Sequence, residues 1–180
     1  VLTHYEPQIT SSTILSALEL QHQQYFLVTL HRAENVDMPH RLHQLLAALI
    51  QVRERFQQPI IVSLHPRTRD RLDQCGIDTS SFPLQFHPPF GFFDFVTLER
   101  SARCVLTDSG TVQEECVIAG VPCVTLRHET ERPETLECGG NTIAGTEPTA
   151  IVQAVKRSLE GHGLARIPPE YQNPHVSQTV

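Results

Sequence analysis

No two of the five cysteines, at positions 75, 104, 116, 123 and 138, stand in C-x-x-C spacing, which excludes a zinc knuckle. The count is odd, and Cys104 and Cys123 fall inside predicted strands, so buried free thiols in a reducing cytoplasm are expected. Among the histidines, His40 and His43 share a predicted helix at ligand-like spacing, but no acid joins them there; no metal site is expected. No apolar run approaches membrane-spanning length, and no charged-then-apolar segment opens the chain. Positive charge is also short: 14 Lys and Arg against 20 Asp and Glu give a formal net charge of -6, which argues against a sequence-independent grip on nucleic acid. Neither G-x-G-x-x-G nor a Walker pattern occurs, so any phosphate site must be built by another turn.

What is present is an alternation. The 180 residues suffice for one domain with a sizeable core. YFLVTL at 25–30 predicts a buried strand, and residues 39–57 follow with Leu42, Leu45, Leu46, Leu49 and Val52 at helical spacing behind Pro39. Strands are then expected at 60–64, 83–86, 103–107, 122–126 and 141–144. Helices are expected at 68–75, 94–101, 111–119, 133–138 and 148–160, with Gly76 closing the first of them. Strands that are apolar on both faces and alternate with helices imply a doubly wound, parallel, Rossmann-like α/β sheet. The segment 161–180 is expected to wrap a surface as a tail.

Ligands of such sheets gather beyond the carboxyl ends of the strands. The turns there are rich in polar residues: His31-Arg32, His65-Pro66-Arg67, the Pro88–Gly91 loop, Asp108–Thr111 and Arg127–Arg132. The stretch CVLTDSGTVQEEC (104–116) carries the sharpest signal. A strand passes through Ser109 and Gly110 into a helix whose free amides favour an anion, while Thr111 and Glu115 lie on one helical face. Phosphate at the turn and a ribose held by Glu115 would use all of these residues. Thr111-Val112-Gln113-Glu114 equally fits a capping box that needs no ligand. Arg32 either grips a phosphate beside His31 or pairs with Glu34. Arg132 either meets a substrate or pairs with Glu131 and Glu134. The cluster His65, Arg67, Arg69 and Arg71 is either a ligand patch or a solvated helix start.

The set FLVTLHRAENVD, SLHPRTRDRL, PPFGFFDFVTLERSA, LTDSGTVQEECVIAGVPCVTLR and TERPETLECGGNTIAG resembles the non-hydrolysing UDP-N-acetylglucosamine 2-epimerases over about residues 20–160. The resemblance implies one half of a two-domain GT-B architecture: the C-terminal, UDP-binding half, read here over 1–180, with the N-terminal half that bears the catalytic acids absent from this chain. It implies His31 as the catalytic histidine near the diphosphate. It implies UDP contacts from Arg32, Phe90, Ser109, Gly110, Thr111, Glu115 and Arg132, and ties Arg32 and His65 to a regulatory UDP-sugar site in some bacterial members.

The implied reaction interconverts UDP-GlcNAc and UDP-ManNAc, or a modified UDP-acetamido sugar, by elimination and re-addition of UDP, without a cofactor. The implied setting is a cytoplasmic homodimer that serves polysaccharide precursor synthesis. The family often reads TDSGG where this chain has Thr111, so C2 epimerisation is better supported than the particular sugar. A GT-B glycosyltransferase domain and a non-catalytic UDP-sugar sensor would use the same nucleotide grip and stay open as alternatives.

Overall fold

The strand expected at 25–30 forms over Phe26–Leu30, and every other expected strand and helix forms within a few residues of its place. The computed structural model describes residues 2–161 and 166–172. In chain order its elements are α1 (Glu6–Thr10), α2 (Ile14–Ala17), β1 (Phe26–Leu30), α3 (Ala33–Val36), α4 (Pro39–Phe56), β2 (Ile60–Leu64), α5 (Pro66–Gln74), β3 (Gln85–His87) and α6 (Phe92–Ser101). There follow β4 (Cys104–Thr107), α7 (Gly110–Ala119), β5 (Cys123–Thr125), α8 (Pro133–Glu137), β6 (Asn141–Ile143) and α9 (Pro148–Gly161). The short helices α1, α2 and α3 were not expected, because four or five residues carry too little periodicity to read.

Among the described residues the strands form one sheet in the order β3-β2-β1-β4-β5-β6, and every pairing is parallel. This is the doubly wound arrangement that the alternation implied. Period-two alternation splits the core into two layers. Phe26, Val28 and Leu30 of β1, with Cys104 and Leu106 of β4, pack with Leu42, Leu45, Leu49 and Val52 of α4 and Ile151 and Val155 of α9. Leu27 and Val105 face the other way, toward Leu98 of α6 and Val112 and Cys116 of α7. Each fully buried Leu or Val contributes about 1.5–3 kcal/mol, so α4 is held by its stripe rather than by its exposed face.

The chain order reverses between β1 and β4, which places a crevice at the carboxyl ends of these two strands. Thr29 and Thr107 pair in register there, and their hydroxyls meet at 2.7 Å. Beyond α9, Arg166 N donates to Cys138 O at 3.2 Å and Tyr171 Oη to Glu134 Oε1 at 2.5 Å, so residues 166–172 lie on α8. The rest of the expected tail, 162–165 and 173–180, lies outside the described residues.

The return from α7 into β5 turns on Gly120, which adopts φ 68° while Val121 N donates back to Cys116 O at 2.9 Å. A Cβ there would meet nothing within 4 Å, so only backbone conformation opposes a side chain. Gly120→Ala is expected to lower stability by about 1–2 kcal/mol in urea unfolding. A loss below about 0.5 kcal/mol would show that the left-handed turn is not what fixes this return.

Candidate functional site

β4 ends in Thr107, and the next residue, Asp108, is fully buried. Its carboxylate accepts from His31 N at 3.1 Å, Arg32 N at 3.0 Å and Asn35 Nδ2 at 3.1 Å. His31 Nδ1 stands 3.2 Å from Asp108 Oδ1. A proton on Nδ1 suits this contact and would leave Nε2 for another partner. Asn35 Nδ2 also donates to Leu126 O at 2.9 Å, beyond the end of β5. One carboxylate therefore fixes the turn after β1 against the turn after β4, and Asn35 ties both to the end of β5.

Ser109 N donates to Thr107 Oγ1 at 3.0 Å, and Ser109 is the N-cap of α7 without using its hydroxyl as a cap. The helix starts at Gly110, one residue before the expected Thr111. Thr111 is thus inside the first turn, and the capping box anticipated for Thr111 and Glu114 does not form. The amides of that first turn have no acceptor one turn back, and the serine hydroxyl is spared.

Above them lies a cavity of about 350 Å³ lined by His31, Arg32, Ser109, Gly110, Thr111, Glu131 and Arg132. A second cavity, of about 190 Å³, shares His31 and Ser109 and adds Thr29, Ser63, His65, Pro89 and Val112. Arg32 Nε donates to Asp108 O at 3.2 Å, and the guanidinium stands 4.0 Å from Glu131, not on Glu34. Glu34 is taken by Arg127, whose side chain is 6% exposed: Nε donates to Glu34 Oε1 at 2.6 Å, and the other two nitrogens reach both Glu131 oxygens at 2.7 and 3.0 Å. These hydrogen bonds pull Glu131 from the ordinary 4.5 down to about 2. Arg132 pairs with Glu114 on α7, rather than with its neighbours' carboxylates, and donates through Nη1 to Glu131 O at 3.2 Å. The cavity can hold a doubly charged anion among helix amides, an imidazole and two guanidinia whose side chains are 39% and 38% exposed.

The sequence profile of the UDP-N-acetylglucosamine 2-epimerase family matches residues 1–180. The chain belongs to this family. It is 44% identical over 138 residues to the UDP-N-acetylglucosamine 2-epimerase of Methanocaldococcus jannaschii, covering 75% of this chain and 38% of that protein. It is 38% identical over 135 residues to the UDP-2,3-diacetamido-2,3-dideoxy-D-glucuronate 2-epimerase of Pseudomonas aeruginosa, covering 75% and 37%. The crystal structure of the M. jannaschii UDP-GlcNAc 2-epimerase in complex with UDP-GlcNAc and UDP superimposes with a TM-score of 0.79 at 38% identity, over 85% of this chain and 43% of that one. This chain thus spans about two-fifths of the length of these epimerases.

The remaining candidate residues of this epimerase-family chain stand outside the larger cavity. His65 caps α5, accepting from Arg67 N at 3.2 Å, and its ring centroid lies 5.5 Å from that of His31. The basic cluster around it is largely neutralised. Arg67 and Arg71 both bind Asp37, whose carboxyl these hydrogen bonds hold at about 2. Phe90 stacks against His87 at 5.3 Å and packs on the α6–α7 layer of the core. Glu115 lines neither cavity. Sequence reasoning missed Asn35, Arg127 and the structural task of Asp108. An acid directly after a buried strand end was the available signal for the last.

Two stability outcomes follow. Asp108→Asn replaces an acceptor by a donor opposite three hydrogen-bond donors and is expected to cost about 3 kcal/mol in urea unfolding. Ser109→Ala, which removes no cap bond, is expected to cost under about 0.5 kcal/mol; the reverse ranking would refute this description of the turn. Because Glu131 is lowered in the folded chain, its contribution is present above 4.5 and lost as pH falls toward about 2. Glu131→Gln is therefore expected to flatten acid unfolding in that window, and an unchanged acid profile would show that the Arg127 clamp does not form.

Proposed function

We propose that this chain is the UDP-holding half of a UDP-sugar 2-epimerase. In this reading the β-phosphate of a UDP-N-acetylhexosamine sits at the first turn of α7. It accepts from the Ser109 hydroxyl and from the amides at Gly110 and Thr111, while Arg32 and Arg132 balance its charge. His31 presents Nε2 to the diphosphate and stabilises it as it departs. Glu115 accepts from the ribose hydroxyls, and Phe90 borders the uracil. The reaction eliminates UDP from the sugar and returns it after the C2 proton has been replaced on the other face. Proton transfer at C2 needs positioned carboxylates in a closed cleft. These come from a facing half in a protein of the relatives' length, about twice this chain. The finer setting, a cytoplasmic homodimer that supplies polysaccharide precursors, belongs to this proposal too, and so does a regulatory UDP-sugar site touching Arg32 and His65.

The observation that carries the reading is the cavity in which His31, Arg32, Ser109, Gly110, Thr111 and Arg132 meet at a helix start. Relatives' names support the uridine nucleotide, and the P. aeruginosa protein's name supports a modified sugar as the alternative. Gly110→Ala tests the reading cleanly. Its Cβ would lie 3.9 Å from Arg132 Cγ, an ordinary contact, so the fold tolerates it while the methyl group intrudes on the anion. Calorimetry with UDP is expected to show binding by this chain and at least about tenfold weaker binding by Gly110→Ala, some 1.4 kcal/mol. Equal affinity, or no binding at millimolar UDP, would refute it. Incubating the full-length protein with UDP-GlcNAc alone separates an epimerase, which forms UDP-ManNAc without an acceptor, from a glycosyltransferase.

A further inference from the structure

Glu99 is a carboxylic acid in a place where a carboxylate has almost nothing to bind. It lies on α6 at 1% exposure, against α7. One oxygen, Oε1, accepts a weak bond from Cys116 Sγ at 3.4 Å. The other, Oε2, is buried and meets no donor. The nearest cation in sequence, Arg100, is committed to Glu6 at 2.8 Å through both carboxylate oxygens. Tyr25, which reaches the same helix, donates to Leu98 O. Beside Glu99, on α7, lies another carboxyl, Glu115, whose charge acts on it.

Two carboxylates side by side repel, and neither has a proton to give the other. A buried oxygen with no donor, next to a second carboxyl, is matched only if one member carries a proton. Glu99 is the deeper of the two, and burial together with the charge of Glu115 raises it well above the ordinary carboxylate range. Glu115 is only partly buried: burial raises it above the ordinary carboxylate range, and a proton offered by Glu99 pulls it back toward the ionised form. The other titratable and charged groups around the pair are Glu114 and Cys116 on α7, Cys123 on β5 and Arg100 on α6; the burial of the Cys116 thiol pushes it up as well, so it stays protonated. With Glu99 neutral, Oε2 becomes a donor with an acceptor, and the unmatched buried oxygen disappears.

We propose that Glu99 is a positioning residue for nucleotide binding: as a neutral acid it donates to one Glu115 oxygen and leaves the other fixed and ionised for the ribose hydroxyls. Glu99 touches no ligand itself. The proposal rests on the ribose role given to Glu115 above and adds what holds that carboxylate in place. It also makes the ribose grip sensitive to alkali, because loss of the Glu99 proton sets two carboxylates against each other.

The test compares the affinities of UDP and 2′-deoxy-UDP for the wild-type chain, Glu99→Gln and Glu99→Leu. Gln keeps a donor toward Glu115 without a titrating proton; Leu keeps the volume and removes the donor. The preference for UDP is expected to survive in Glu99→Gln and to fall about fivefold in Glu99→Leu, the worth of roughly one hydrogen bond. It is expected to decline at alkaline pH in the wild-type chain and to stay level in Glu99→Gln. Because Glu99 is raised in the folded state, its stabilising share is fully present below the ordinary 4.5 and lost as pH rises through the folded value, a loss that Glu99→Gln removes.

If Glu99→Leu does not fold, the infrared spectrum decides. A protonated carboxylic acid carbonyl band is expected in the wild-type chain at neutral pH and is expected to vanish in Glu99→Gln; no such band overturns the proposal. A UDP preference with the same size and pH profile in every folded variant overturns it too, while leaving the nucleotide site standing. No preference for UDP in the wild-type chain overturns it together with the ribose assignment of Glu115.

Discussion

The crevice depends on one fully buried carboxylate, that of Asp108. Removing such a group from water costs several kcal/mol, and the cost is offset only where donors surround it. Here the donors come from the other side of the switch point: two backbone amides and the Asn35 amide, with the His31 imidazole 3.2 Å away. Because they belong to the turn after β1, satisfying Asp108 fixes where that turn lies relative to α7. Asn35 carries the constraint on to Leu126 O. The strand ends could pair in register without this bond, but the loops above them would have no shared reference.

A negative charge beneath a proposed anion site looks like a conflict, and the geometry resolves it. Asp108 consumes donors that point inward: the amides of His31 and Arg32 and the side-chain amide of Asn35. What remains outward is Nε2, the ends of Arg32 and Arg132 and the first turn of α7. The arginines divide the same way. Arg127 is saturated by Glu34 and Glu131 and acts as a clamp. Arg32 gives one donor to a backbone carbonyl and keeps a half-exposed guanidinium. The buried arginine is the structural one, and the half-exposed arginines line the cavity.

The sheet was legible because its signals are local and redundant. The four inner strand segments are mostly apolar or β-branched, the edge strands β3 and β6 are more polar, and α4 repeats Leu42, Leu45, Leu46, Leu49 and Val52 over about three turns. The rim of the crevice was legible because parallel topology puts every strand-end turn on one side. Pairings were not legible. Arg32 and Arg132 each have an acid within two residues in sequence, yet Arg127 takes Glu34, and Arg132 reaches Glu114 on another element. Arg67 and Arg71 looked like a free basic cluster until Asp37, some thirty residues away, closed on both. Sequence neighbours compete with partners that folding brings closer, and composition does not say which wins.

The same limit separates the two buried acids of this region. Asp108 and Glu99 are both sealed from water. Asp108 follows a strand and faces N–H donors, so it serves as an acceptor. Glu99 points from a helix into a layer where a thiol meets one oxygen and nothing donates to the other. The difference lies in the partners across the fold rather than in the residue. It also assigns the two acids different work. Asp108 sets the loops whether or not a ligand is present, whereas the task proposed for Glu99 falls on one neighbour, Glu115.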